Sequence, residues 1–190
     1  MNHLAHLFLA PDEPAIRIGS VCGDFLKGIS MQDMPPAMQI GIRHHLAVDG
    51  YTDRHPEVLA SKRLFSSERR RFAGVALDVL YDHYLLKNWE HYSAQRSNGF
   101  ISQRYHELEA FEHLMPPAML PVARQIRQHD WFGQYRDLDN IGYALDRISR
   151  RIRFPNRFEG IITEIKLHHV ELEQRFQRFF EDLQPAARDF

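Results

Sequence analysis

The sequence has one cysteine, Cys22, in 190 residues. That excludes an intrachain disulfide and fits a reducing compartment. It also has almost no net charge: 24 basic against 25 acidic residues leave −1 at pH 7. Nothing in that balance draws the whole molecule to nucleic acid or an acidic membrane, so neither partner is expected and any electrostatic preference must be local. No apolar run reaches the roughly 18 residues a membrane-spanning helix needs. The first residues lack a basic segment leading into an apolar core and a cleavage site, so a cytoplasmic protein is expected. Glycine-rich phosphate loops, nucleophile elbows and dinucleotide fingerprints are missing. So are alternating strand patterns, internal repeats and low-complexity linkers.

What is present describes a globular chain: 44% hydrophobic and 26% charged residues in a length that suits one domain with a full core. Helical spacing dominates, and an all-α, single-domain helical bundle of eight or nine helices is predicted. A short helix capped by Asn2 ends near Leu9, before Pro11. A second opens at Pro14 and is expected to run to Lys27, with Gly28 as its stop. Others are expected over 36–52, from the Ser66-Ser67-Glu68 cap to about His91, and over 100–114, 119–128 and 141–151. A last long helix over 158–183 carries Ile161, Ile165, Leu172, Phe176, Phe179 and Phe180 as its apolar stripe. Residues 93–99 and 131–139 read as connectors.

The stretch 72–86, FAGVALDVLYDHYLL, is apolar or small except at Asp78, Asp82 and His83. A helix hydrophobic nearly all round is a buried one, and an unpaired carboxylate inside it would cost several kcal/mol or take up a proton. A shared metal ion would satisfy all three groups. Buried arginines for the acids and a backbone hydrogen bond for His83 would also do so. Asp78 and Asp82, four apart, stack on one helix face. His45 and Asp49 repeat that spacing on the preceding helix, where Ile42, Leu46 and Val48 suggest an inward face and His44 an outward one. A plain helical His–Asp pair is the other reading there. Asp24, in the expected last turn of its helix, faces the negative end of the dipole and needs Lys27 or a metal to compensate. His3 and His6 share a face of the first helix. Asp53 reads as a turn residue and Cys22 as a small core residue.

A histidine and carboxylate set without cysteine suits manganese, magnesium, iron or zinc in a hydrolytic site rather than a structural zinc. Metal-assisted hydrolysis is the reaction class left by the missing motifs. Two basic clusters, Arg69-Arg70-Arg71 and Arg147, Arg150, Arg151 and Arg153, are solvated surface in the ordinary case. Beside a metal site they can also receive phosphates or an acidic protein.

Several blocks, in order, resemble the acyl carrier protein phosphodiesterases: NHLAHLFLA near the start, GDFLKG at 23–28, His45 through Asp49 to TDRHP at 52–56, LDVLYDHYL at 77–85 and YRDLD at 135–139. The resemblance implies a distorted relative of the HD-domain phosphohydrolases, with the adjacent pair reversed as Asp82-His83. It implies Mn2+-dependent removal (Mg2+ or another divalent ion being possible) of 4'-phosphopantetheine from holo-acyl carrier protein. It places site candidates at His6, Asp24, His45, Asp49, Asp78, Asp82 and His83, with Asp24 or Asp78 aligning or deprotonating water and Lys27 stabilising phosphoryl charge. Arg69, Arg70, Arg71, Arg147, Arg150 and Arg151 become docking residues for the acidic carrier protein. A metal-dependent phosphohydrolase of nucleotides or other small phosphodiesters would carry the same centre. A helical binding module with a structural polar interior is the alternative outside enzymes.

Overall fold

The computed structural model describes residues 1–190 as twelve α-helices and no strands. In chain order they are α1 (His3–Leu9), α2 (Pro14–Cys22), α3 (Pro36–Arg54), α4 (Pro56–Arg63), α5 (Ala73–Lys87), α6 (Trp89–Tyr92), α7 (Ser97–Ala110), α8 (Leu120–Gln128), α9 (Trp131–Gln134), α10 (Leu138–Ser149), α11 (Ile162–Leu167) and α12 (His169–Ala187). The all-α expectation holds. No helix is long and apolar enough to cross a membrane.

Helix α5 is the central element. Eleven of its fifteen residues are buried, which accounts for its lack of a polar face. Tyr81 and Tyr84 pack with tilted rings against Phe176 and Phe179 of α12, so the apolar stripe read from the sequence closes one side of the core. Ile161, Ile165, Leu172, Phe176, Phe179 and Phe180 are all fully buried. Helices α2 and α3 cross so closely that a Cβ on Gly41 would lie 2.0 Å from the Ile16 carbonyl oxygen, and one on Gly19 2.3 Å from that of Met38. Buried Arg17 ties α2 to α7 through a two-pronged pair with Glu107, at 2.9 and 2.5 Å.

Element boundaries differ from the expectations in ways that matter. The second helix stops at Cys22, and residues Gly23–Phe25 form a single 3-10 turn, because the His45 ring occupies the space beside Gly23: a Cβ there would sit 2.3 Å from the imidazole. Asp24 therefore stands in a turn and not at an α-helix C-terminus. The expected helix from 66 to 91 is divided into a 3-10 turn (Arg70–Phe72), α5 and α6. Ser66 caps neither; its backbone N–H and hydroxyl both donate to Glu164. The last long helix is two, α11 and α12, joined at His168. His44 is buried rather than outward, its Nε2 3.0 Å from the Ala187 carbonyl, and Leu46 is the residue that faces solvent.

Candidate metal centre

Two helices, α1 and α3, bring His6, His45 and Asp49 together. One ligand atom from each lies within 4.8 Å of the other two. Asp49 follows His45 by one turn of α3, and its Oδ2 is 3.1 Å from His45 Nε2. His6, on α1, stacks on the His45 ring at 4.0 Å between centroids and places Nε2 3.2 Å from Asp49 Oδ1. The Met1 ammonium is 2.8 Å from Asp49 Oδ1 and 3.2 Å from Asp78 Oδ1. Burial opposes that ammonium, but Asp78 and Asp49 outweigh it and raise it to about 10. Burial likewise opposes ionisation of Asp49, yet the adjacent His45 and His6 rings and the ammonium hold its carboxyl well below the usual range.

The ring nitrogens show what the cluster can hold. His45 Nδ1 donates to the Ser20 carbonyl at 2.8 Å, so the neutral ring keeps its lone pair on Nε2, which faces Asp49 and, at 3.6 Å, Asp24 Oδ1. A lone pair aimed at carboxylate oxygens is repulsive unless a proton or a cation stands between them. A histidine fixed through Nδ1 by a backbone carbonyl is the usual arrangement of a metal ligand. Both nitrogens of His6 are buried and neither makes an aligned hydrogen bond, which is costly unless something coordinates one of them. Burial pushes that imidazole down to about 3, so it stays neutral with a free lone pair. The donor set, two imidazoles and a carboxylate, fits a divalent metal ion, and the Asp49 and Asp24 carboxylates that raise His45 against its burial favour positive charge at that point.

The other site residues named from the sequence are distributed around this cluster. Asp24 lies at its edge, 3.5 Å from His3 Nδ1 and 3.6 Å from His45 Nε2. Asp78 touches it through the ammonium and is raised by burial. Lys27 is exposed beyond the turn. Asp82 is fully buried but faces elsewhere: it accepts from Leu4 N at 3.2 Å, Ala5 N at 2.9 Å and Asn2 Nδ2 at 2.9 Å. It thus caps α1, the role expected of Asn2, whose own side chain makes no cap bond. Burial, offset by those N–H groups, pushes the Asp82 carboxyl up to about 7. His83 points away from the cluster and donates Nδ1–H to the Tyr135 carbonyl at 2.8 Å. Neither residue belongs to the close donor set: His83 makes the backbone hydrogen bond that is its alternative to a metal, whereas Asp82 is satisfied by backbone N–H groups and Asn2 rather than by the buried arginine expected for it. The sequence undervalued His3, whose bland setting on a short helix gave no sign of its approach to Asp24.

The basic clusters separate in the same way. Arg69 is spent on the Arg157 and Glu159 carbonyls and on Glu164, Arg70 on the Phe65 carbonyl, and Arg71 stacks on Phe72 and Phe154. Those three brace the fold. Arg147 and Arg151 instead line a cavity of about 560 Å³ between α8, α9 and α10 that reaches Asn2, His3 and Phe25 at the cluster's edge. Arg150 is 69% exposed and pairs at the surface with Glu159.

Fold and cluster define an all-helical protein with a candidate metal centre opening onto a cleft. The family model for acyl carrier protein phosphodiesterase matches residues 1–183, and the chain belongs to that family. It is 31% identical to the acyl carrier protein phosphodiesterase of Serratia proteamaculans (strain 568) over 190 residues, covering 100% of this chain and 98% of that protein. It is also 31% identical to the one of Escherichia coli O157:H7 (strain EC4115 / EHEC) over 193 residues, covering 98% and 97%. No solved structure matches the chain.

Proposed function

We propose that the chain hydrolyses the phosphodiester joining 4'-phosphopantetheine to the serine of holo-acyl carrier protein, releasing apo-protein and 4'-phosphopantetheine. Family membership across nearly the whole chain supports the reaction. The observation that carries the chemistry is the grouping of His6, His45 and Asp49 within 4.8 Å. In this reading those three hold Mn2+, with Mg2+ or another divalent ion as a substitute. When bound, the metal supplies charge for the phosphoryl oxygens and lowers the pKa of water.

The protein's own groups do the rest. His45 is held in register by the Ser20 carbonyl, so its Nε2 cannot swing from the cluster. Asp24, half-exposed at 43% and facing both His3 and His45, is placed to orient the attacking water and accept its proton. Asp78, 3.2 Å from the Met1 ammonium that also meets Asp49, is the other carboxylate that could align or deprotonate that water. Lys27 would stabilise the phosphoryl oxygens from the solvent side. Arg150, the outermost of the α10 arginines, would meet the acidic surface of the carrier protein.

The test is direct. Holo-acyl carrier protein is incubated with the protein and Mn2+ and followed by mass spectrometry. Loss of the phosphopantetheine arm is expected. An unchanged mass, with Mn2+ shown to be bound, overturns the reading.

A further inference from the structure

The cavity beside the cluster has no part in the hydrolytic step itself, and its lining is unusual. Eight of its sixteen lining residues are hydrophobic, too polar a mixture for a plain acyl chain and too apolar for a string of phosphates. Its volume of about 560 Å³ falls in the range of small-molecule sites, about 300–1,000 Å³. One end is made by Asn2, His3 and Phe25, and His3 is the residue that faces Asp24 at 3.5 Å. The cavity therefore starts at the candidate centre and leads away from it.

We propose that this cleft binds the pantetheine arm of the substrate, an inference that rests on the reaction proposed above. The arm is a chain of alternating character: a gem-dimethyl group and a hydroxyl, then two amides joined by short methylene runs, then a thiol. The cleft answers each part. Val79, Val122, Trp131 and Ile148 supply apolar walls. Gln125, Gln134 and Asn140 place three carboxamides among them. Asn140 Nδ2 and Gln134 Nε2 are committed to the carbonyls of Gln134 and His129, which leaves the side-chain oxygens of both as acceptors for the arm's amide N–H groups. Gln125 offers donor and acceptor together. Arg147 lies over the Trp131 ring at 5.8 Å, holding the indole face at the cleft wall. With the phosphodiester at the cluster, the arm lies along this wall and the carrier protein stays outside, toward Arg150. Ala144, half-buried on α10 and with only a methyl group facing the space, becomes a residue that sets how much arm the cleft admits.

The chain has two tryptophans. Trp89 is buried against Phe8 and Phe100, so Trp131 reports on the cleft. Titration of the metal-free protein with 4'-phosphopantetheine is expected to give a saturable change in indole fluorescence that Trp131→Phe abolishes and Ala144→Phe weakens at least fivefold. Pantetheine, lacking the phosphate, should give the same change at higher concentration. In the Mn2+-loaded enzyme, Ala144→Phe is expected to lower kcat/KM for holo-acyl carrier protein at least tenfold relative to kcat/KM for bis(p-nitrophenyl) phosphate, which has no arm. Gln125→Trp, an exposed filler from α8, should act in the same direction if Ala144→Phe unfolds. An unaltered ratio in both fillers, or a Trp131 signal that responds to AMP but not to pantetheine, overturns the proposal. Inactivity of the wild-type enzyme on holo-acyl carrier protein together with a normal pantetheine titration would instead remove the proposed reaction and leave the cleft assignment standing.

Discussion

Removing one imidazole separates a metal ligand from a packing residue. If His45 holds a divalent ion, wild-type protein should gain thermal stability with Mn2+, by about 2.7 kcal/mol at a hundredfold excess over Kd. His45→Ala should show no gain. Equal shifts in both proteins would place the ion elsewhere. Asp82 allows a second test, in which pH is the variable. Its folded carboxyl is raised to about 7 against an ordinary value near 4. The folded state therefore holds the extra proton between those values, and this contribution to stability is lost as pH rises through the window. Asp82→Asn has no proton to lose. Its stability relative to wild type should improve between pH 4 and 8, by an amount on the order of a few kcal/mol, as measured by urea unfolding at several pH values. A constant difference would mean that Asp82 is ionised throughout and fully satisfied by Leu4, Ala5 and Asn2.

Between elements, the α2–α3 crossing and the exposed end of α10 give contrasting expectations. Gly41→Ala puts a methyl where only 2.0 Å separates it from the Ile16 carbonyl oxygen, and backbone cannot yield as a side-chain tip can. The helices must move apart, at a cost of about 1–3 kcal/mol. The same movement displaces His45 from the Ser20 carbonyl, so a lower Tm should come with weaker Mn2+ binding. Arg150→Glu touches nothing in the core. It should raise KM for the carrier protein several-fold, with a salt dependence that weakens, and leave KM for a small diester alone. Equal loss on both substrates would count against docking there.

For the molecule as a whole, the sequence carried the class of fold and named the three residues that the fold groups within 4.8 Å, and lost the direction of particular side chains. Helix α5 was legible because an apolar surface on all sides of a helix has one meaning. His45 and Asp49 were legible because i,i+4 spacing survives any packing arrangement. Asp82 was not, since nothing local reveals that an acid one turn beyond Asp78 serves the N-terminus of a helix 78 residues away. His83 failed for the same reason: its partner is the backbone of Tyr135, and a carbonyl has no residue type to read. The interruption at His168 has no proline or glycine to mark it, and the buried setting of His44 depends on where α12 ends.

That long-range cap on α1 also sets the order in which the centre assembles. The helix carrying His6 leaves the ribosome well before α5, yet the group that holds its N-terminus in place lies near the end of α5. At about 5–20 residues per second, the first helix waits several seconds, too short and too weak to persist alone, before Asp82 exists to receive it. The cluster is therefore a late product of synthesis: imidazole and carboxylate come into register only after the middle of the chain has folded. A divalent ion arriving earlier would find only the α3 pair, His45 and Asp49. The mature affinity should appear together with the docking of α1.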